Sequence, residues 1–174
     1  MTRQQRALDN PWMDPLDPPV RAAEPDDVPA IVGLVHELAA YERAPECCAL
    51  TEAQLHAALF GVRPALFGHV ALAGGQVVGC ALWFLNFSTW RGVHGIYVED
   101  LYVQPAHRGQ GHGAALLKEL ARECARRGFA RLEWSVLDWN KLATSFYDSL
   151  GAKAQDEWTI YRLSGSALAA LAES

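Results

Sequence analysis

Residues 98–117 read "VEDLYVQPAHRGQGHGAALL". An apolar, strand-like run carries two neighbouring carboxylates, Glu99 and Asp100, and glycine then returns at 109, 111 and 113 before a helix-like run begins. No other stretch constrains the fold as strongly. The apolar residues of "GVHGIYVEDLYV" predict a strand from about Val93 to Val103. Beyond the glycines the spacing predicts a helix from Gly111 to about Arg127. Leu116, Leu117, Leu120, Ala121 and Cys124 fall on one side of it, with Lys118, Glu119, Arg122, Glu123 and Arg126 facing away. Gly128 closes that helix and "FARLEWSVL" follows as a strand, so the junction opens a strand–helix–strand unit.

Upstream, "VRAA" at 20–23 reads as a short strand, and Asp26 or Asp27 is placed to cap a helix that carries Pro29 near its start. Ile31, Leu34, Val35 and Leu38 form one apolar face of that helix, and Pro45 is expected to stop it. Thr51 with Gln54 reads as a capping box for a second helix running to about Phe60. "FGHVALA" and "QVVGCALWFLNF" flank Gly74-Gly75 as a hairpin. Downstream, "NKLATSFYDSLG" reads as a helix capped by Asn140 and closed by Gly151, and "WTIYRL" as a last strand. Antiparallel strands precede the strand–helix–strand unit, so the fold class is α/β (α+β), a mixed sheet covered by helices. The glycine loop follows the fourth strand and lacks G-x-G-x-x-G spacing, which excludes a doubly wound dinucleotide fold. Residues 1–19 read as a mobile leader, held in part by Trp12 or Leu16, and 20–174 as one domain.

Within "RGQGHG", Arg108–Gly113, the glycines allow a tight bend that turns amide hydrogens toward one point. The helix start adds unpaired amides and a positive dipole end, and Arg108 can add a charge-assisted donor. A diphosphate suits this cradle; a tight turn with no ligand would use the same glycines. A Walker loop is excluded, because the Lys-Ser/Thr pair is missing.

Fifteen basic against twenty acidic residues give a net charge of −5, which argues against broad nucleic-acid binding. Cys47, Cys48, Cys80 and Cys124 form no C-x-x-C pair, and no His/Cys cluster has metal spacing. We therefore expect plain thiols, no metal, and His94, His107 and His112 as local hydrogen-bonding or solvent residues. No apolar run reaches membrane-spanning length, so a cytoplasmic protein without membrane partners is expected.

"RGQGHG" matches the (Gln/Arg)-x-x-Gly-x-(Gly/Ala) acetyl-CoA motif, and the sequence resembles the GNAT superfamily of N-acetyltransferases. "YVEDLYVQPAHRGQGHG", "VLDWN" and "FYDSLGA" resemble its diamine (spermidine/spermine) and thialysine-acetylating branch, from about residue 20 to 163. The resemblance implies two splayed parallel strands holding acetyl-CoA as cosubstrate, with backbone groups near Leu101 and Val103 on the pantetheine arm. It places the amides of Gln110, Gly111, His112 and Gly113, with that of Arg108 or Gly109, on the diphosphate. Asn140 becomes a cofactor contact as well as a helix cap.

The same resemblance makes Glu99 the base that takes the acceptor's proton and Tyr147 the donor to the departing sulfur. Asp100 gains a supporting role at the acceptor. Adjacent residues of a regular strand point to opposite faces, so only one of Glu99 and Asp100 would face a given cleft. Glu42, in "HELAAYERAPE", and Trp90, in "NFSTWRG", are candidate acceptor-binding residues. "GAKAQDEWTIYRL" is shorter than the matching stretch of the diamine enzymes, near the expected subunit seam. The implied activity is acetyl transfer to a primary amine of a small cationic acceptor in a ternary complex, by a homodimer. The alternatives are a protein, peptide or aminoglycoside acetyltransferase, or a non-catalytic acyl-CoA sensor or interaction module.

Overall fold

A computed structural model describes residues 18–174. The expected leader therefore lies, but for its last two residues, outside the described residues, with Trp12 and Leu16. The chain forms two compact units, one ending at Ser135 and one spanning Val136–Ser174. The first contains β1 (Val20–Ala22), α1 (Val28–Tyr41), α2 (Glu52–Phe60), β2 (Phe67–Ala73), β3 (Gln76–Ser88), β4 (Val93–Val103), α3 (His112–Arg127) and β5 (Leu132–Trp134). The second contains α4 (Lys141–Ser149) and α5 (Gly165–Ala172).

The five strands lie in chain order, each pair antiparallel except β4 with β5, which is parallel. Gly74 and Gly75 take left-handed φ of 56° and 83°, the backbone a two-residue hairpin turn requires. One face of the sheet carries α1 and α2 around Ile31, Leu34, Leu55, Val70, Cys80, Leu82 and Tyr102. The other carries α3, with Ala71, Trp83, Ile96, Val98, Leu116 and Leu120. Each fully buried leucine or isoleucine contributes about 1.5–3 kcal/mol, which fixes both helix layers on the sheet.

The Thr51–Gln54 box forms as expected: the Gln54 amide donates to Thr51 Oγ1 at 3.3 Å and the Thr51 amide to Gln54 Oε1 at 2.9 Å. Asp27 does not cap α1 with its side chain. Its carboxylate takes the Glu24 amide at 2.7 Å and the Arg21 guanidinium at 2.5 and 2.8 Å, closing the turn before α1. Nor does Pro45 stop α1. The Ala44 amide donates to Ala39 O and the Arg43 amide to Ala40 O, with Arg43 left-handed at φ 64°, so a Schellman closure ends the helix at Tyr41.

On α3 the buried stripe is displaced from expectation. Ala121 is exposed, whereas Glu119 and Glu123 are buried. Arg126 meets Glu119 Oε1 at 3.1 Å and also pairs with Glu123, which Arg127 joins from the next position. Carboxylates so neutralised can lay their stems against the sheet. The strand expected over "FARLEWSVL" forms only at Leu132–Trp134. "WTIYRL" forms no strand: Trp158, Ile160 and Tyr161 are 72%, 74% and 93% exposed. Its alternating residues suit a sheet, but among the described residues no strand pairs with them.

Candidate active site

The acidic strand departs from regular geometry. Trp83 pairs with Val98, yet the next β3 residue toward the hairpin, Leu82, pairs with Asp100, which leaves Glu99 as the extra residue of a β-bulge. The packing records the consequence. Ile96 and Val98 belong to the α3-side core and Leu101 and Val103 pack against it, while Tyr102 lies in the α1-side core. The inward parity changes between 98 and 101, so Glu99, in phase with Tyr97, and Asp100, in phase with Tyr102, both address the α1 face. The expectation of opposite faces is thereby corrected.

Glu99 is exposed and Asp100 half-buried. Burial, then the neighbouring charges of Glu99 and Glu42, push the Asp100 carboxyl up to about 6. Burial also raises Glu42, at the end of α1. The charges of Glu42, expected at the acceptor, and of Glu99, expected as the base, therefore both bear on Asp100, an arrangement suited to an ammonium group. Trp90 does not join them. It is 90% exposed in the turn between β3 and β4, roughly 20 Å along the strand from Glu99 at the usual rise per residue.

At the other end of β4, Gly109 and Gly111 take φ of 73° and 86°, and α3 begins at His112. No acceptor among the described residues takes the amide hydrogens of Gln110, Gly111, His112 and Gly113. Two left-handed glycines flanking one residue at a helix start form a nest for an anion, and the unclaimed donors fit the expected diphosphate. The ladder to β5 runs only from Ile96 to Val98, so the Glu99–Val103 stretch has no β5 partner. Leu101 and Val103 lie on that stretch, where an extended arm can take backbone bonds.

Arg108 is placed differently from expectation. Its amide donates to Pro105 O at 3.3 Å and its Nε to Val103 O at 2.9 Å. The guanidinium carbon lies 4.8 Å from the Tyr41 ring centre and 5.4 Å from that of Tyr102. His112 is also not a solvent residue. It is 4% exposed, its buried Nδ1 has no hydrogen-bond partner among the described residues, and its ring centre is 6.1 Å from that of His107. Burial, then His107, lowers its pKa.

In the second unit, Asn140 Oδ1 accepts the Ala143 amide at 3.2 Å, so the expected cap on α4 is present. Tyr147 is half-buried on α4, its ring centre 5.4 Å from that of Phe146. Sequence reasoning missed the bulge, the stacking of Arg108 and the burial of His112. The first had a signal: the apolar parity of "IYVEDLYV" changes from even at Ile96 and Val98 to odd at Leu101 and Val103. The other two depend on contacts distant in the chain.

The model of the Acetyltransferase (GNAT) family matches residues 32–152. The thialysine N-epsilon-acetyltransferase of Bos taurus is 37% identical over 164 residues, covering 88% of this chain and 96% of that protein. The L-ornithine N5-acetyltransferase NATA1 of Arabidopsis thaliana is 29% identical over 197 residues, covering 87% and 86%. Among solved structures, the integron cassette protein VCH_CASS6 from the V. cholerae mobile metagenome superposes with a TM-score of 0.75 at 28% identity, covering 89% and 97%.

Proposed function

The chain belongs to the GNAT acetyltransferase family, and on that footing we propose that it moves the acetyl group of acetyl-CoA to the terminal amine of a small, lysine-like diamine. The observation that carries this reading is an amide nest just after β4, whose donors no described residue takes, together with the carboxylates Glu99, Asp100 and Glu42, whose charges bear on one another. The relatives named for thialysine and ornithine act on amines of that shape.

An alkyl ammonium of pKa near ~10.4 is about 0.04% free base at pH 7, a deficit of about 4.6 kcal/mol that the site must offset. Asp100 and Glu42 attract the ammonium. Glu99, at the bulge and open to solvent, receives its proton directly or through water. The amides of residues 110–113 hold the diphosphate, and the backbone of Leu101 with the Val103 amide, on the side of β4 beyond the reach of β5, takes the pantetheine arm. Asn140 serves as cap and cofactor contact. Tyr147 donates a hydrogen bond to the sulfur as it leaves, which stabilises the developing thiolate. Attack is direct within a ternary complex, so no cysteine carries the acetyl group. The working form is a homodimer.

The test is a panel of thialysine, lysine, ornithine, spermidine, an aminoglycoside and a histone-like peptide with acetyl-CoA, read as thiol release and product mass. Turnover of thialysine or ornithine above the others is expected; turnover of the peptide alone would overturn the acceptor class. Tyr147→Phe should slow transfer with CoA binding retained, and loss of binding instead would remove its leaving-group role.

A further inference from the structure

We propose that Arg108 is a positioning residue for the amine-binding wall, linking cofactor occupancy of the loop to the shape of the acceptor site, and not a ligand of the diphosphate. The proposal rests on the functional reading above and deepens it.

The loop arginine lies within the nest-bearing segment, yet its side chain is engaged elsewhere. Nε holds Val103 O at 2.9 Å, and the guanidinium lies over two rings, Tyr102 of β4 and Tyr41 of α1. Tyr102 is buried in the core beneath α1. Its hydroxyl is raised by burial and then by Glu37 of α1, with Arg108 pulling the other way, so the ring, Glu37 and the guanidinium sense one another. A second tie joins the same elements: Gln104 Nε2 donates to Glu37 Oε1 at 3.0 Å.

Tyr41 is the last residue of α1, and the next residue is Glu42, which faces Asp100 electrostatically. The helix end there closes through Arg43 in left-handed backbone, a conformation that an arginine holds only when its surroundings impose it. Arg108 is thus the contact through which the loop bears on the carboxylate wall. An anion that orders residues 108–113 also orders the guanidinium, and with it Tyr41 and Glu42. Cofactor binding should then tighten amine binding, and the reverse follows by linkage.

Arginine suits this task because its guanidinium is planar, stacks flat on aromatic faces and donates in a fixed direction, whereas lysine offers a compact point charge on a flexible stem. For phosphate, by contrast, lysine serves well as a point charge. That difference provides the test. Wild type, Arg108→Lys, Arg108→Gln, Tyr41→Leu and the double variant Arg108→Gln/Tyr41→Leu are compared, all as full chains. CoA binding is measured by calorimetry at low and moderate salt, thialysine kinetics with acetyl-CoA, and thialysine affinity with and without CoA.

In the wild type we expect CoA to tighten thialysine binding by about fivefold or more. Both Arg108 variants should bind CoA within about threefold of wild type with the same salt dependence, raise the thialysine KM about tenfold with little change in kcat, and lose the linkage. Tyr41→Leu should do the same, and the double variant should add nothing to either single change. Weakening of CoA binding by about tenfold in Arg108→Gln, with recovery in Arg108→Lys and a shallower salt dependence in the Gln variant, would overturn the proposal in favour of a phosphate contact. Should Arg108→Gln fail to fold, Tyr41→Leu decides alone: an unchanged thialysine KM overturns the proposal. Wild-type protein that binds no CoA would overturn the functional reading beneath it as well.

Discussion

Asp100 makes folding stability depend on pH in an unusual direction. Its carboxyl is pushed from 3.8 up to about 6 by burial and by Glu99 and Glu42. In the unfolded chain it titrates near the ordinary value, so between pH 3.8 and about 6 the folded protein holds more proton on this group than the unfolded one. Stability associated with Asp100 is therefore complete below the lower value, falls as pH rises through the window, and is lost above about 6. A shift of about two units corresponds to about 3 kcal/mol at most. Asp100→Asn removes the titration. Urea unfolding of both proteins from pH 4.5 to 8 should give a difference curve that climbs in favour of the variant by about 2 kcal/mol and then levels. At pH 7.5 the variant's Tm should stand about 4–8 °C higher, relative to its offset at pH 4.5, for a chain of this size. Glu42→Gln, which removes one of the two neighbouring charges, should make the climb smaller. A difference curve that stays flat across the range would refute the reasoning.

Three further outcomes follow from other parts of the site. Glu99→Gln should lower kcat/KM most at neutral pH and less at high pH, where the amine arrives deprotonated, and a pH–rate profile parallel to wild type would remove Glu99 as the base. His112, buried at a helix start beside His107, has a lowered pKa that a bound diphosphate should reverse, so CoA binding should take up a proton near and below pH 6.5, the ordinary histidine value. Calorimetry in two buffers of different ionisation enthalpy measures this uptake, and His112→Leu, which keeps the backbone amide, should diminish it. Arg43→Gly relieves the left-handed strain at φ 64° and should stabilise folding by about 0.5–1 kcal/mol, read from urea unfolding.

Elements whose cause is local were legible in the chain. The Thr51–Gln54 box, the Gly74-Gly75 turn and the Val93–Val103 strand each depend on residues within a few positions, and each forms where the spacing places it. "WTIYRL" shows the opposite case. Alternating apolar residues describe a surface that a sheet could use, but a strand exists only when another supplies its hydrogen bonds, and local sequence names no partner. The α3 carboxylates fail for a related reason. Their spacing to Arg126 and Arg127 was visible, but burial of the resulting pairs depends on which part of the sheet the helix covers. For the site, the nest could be read because glycine at left-handed positions leaves a mark in the sequence, whereas the direction of Arg108 leaves none.

The bulge bears most directly on function. In a regular strand, Glu99 and Asp100 would part to opposite faces, and one would enter the α3-side core beside Val98 and Leu101. One extra residue opposite the Leu82–Trp83 step turns both toward α1, where Glu42 adds a third carboxylate. Burial beside two like charges disfavours the ionised Asp100 carboxyl in the protein alone, and an ammonium ion held there would offset that cost. The amine should therefore protect the native state most above about pH 6, where Asp100 is ionised, and do so through Asp100. Added thialysine at pH 7.5 should raise the Tm of wild type more than that of Asp100→Asn. Equal shifts in the two proteins would mean that the carboxylates turned by the bulge do not receive the acceptor's charge.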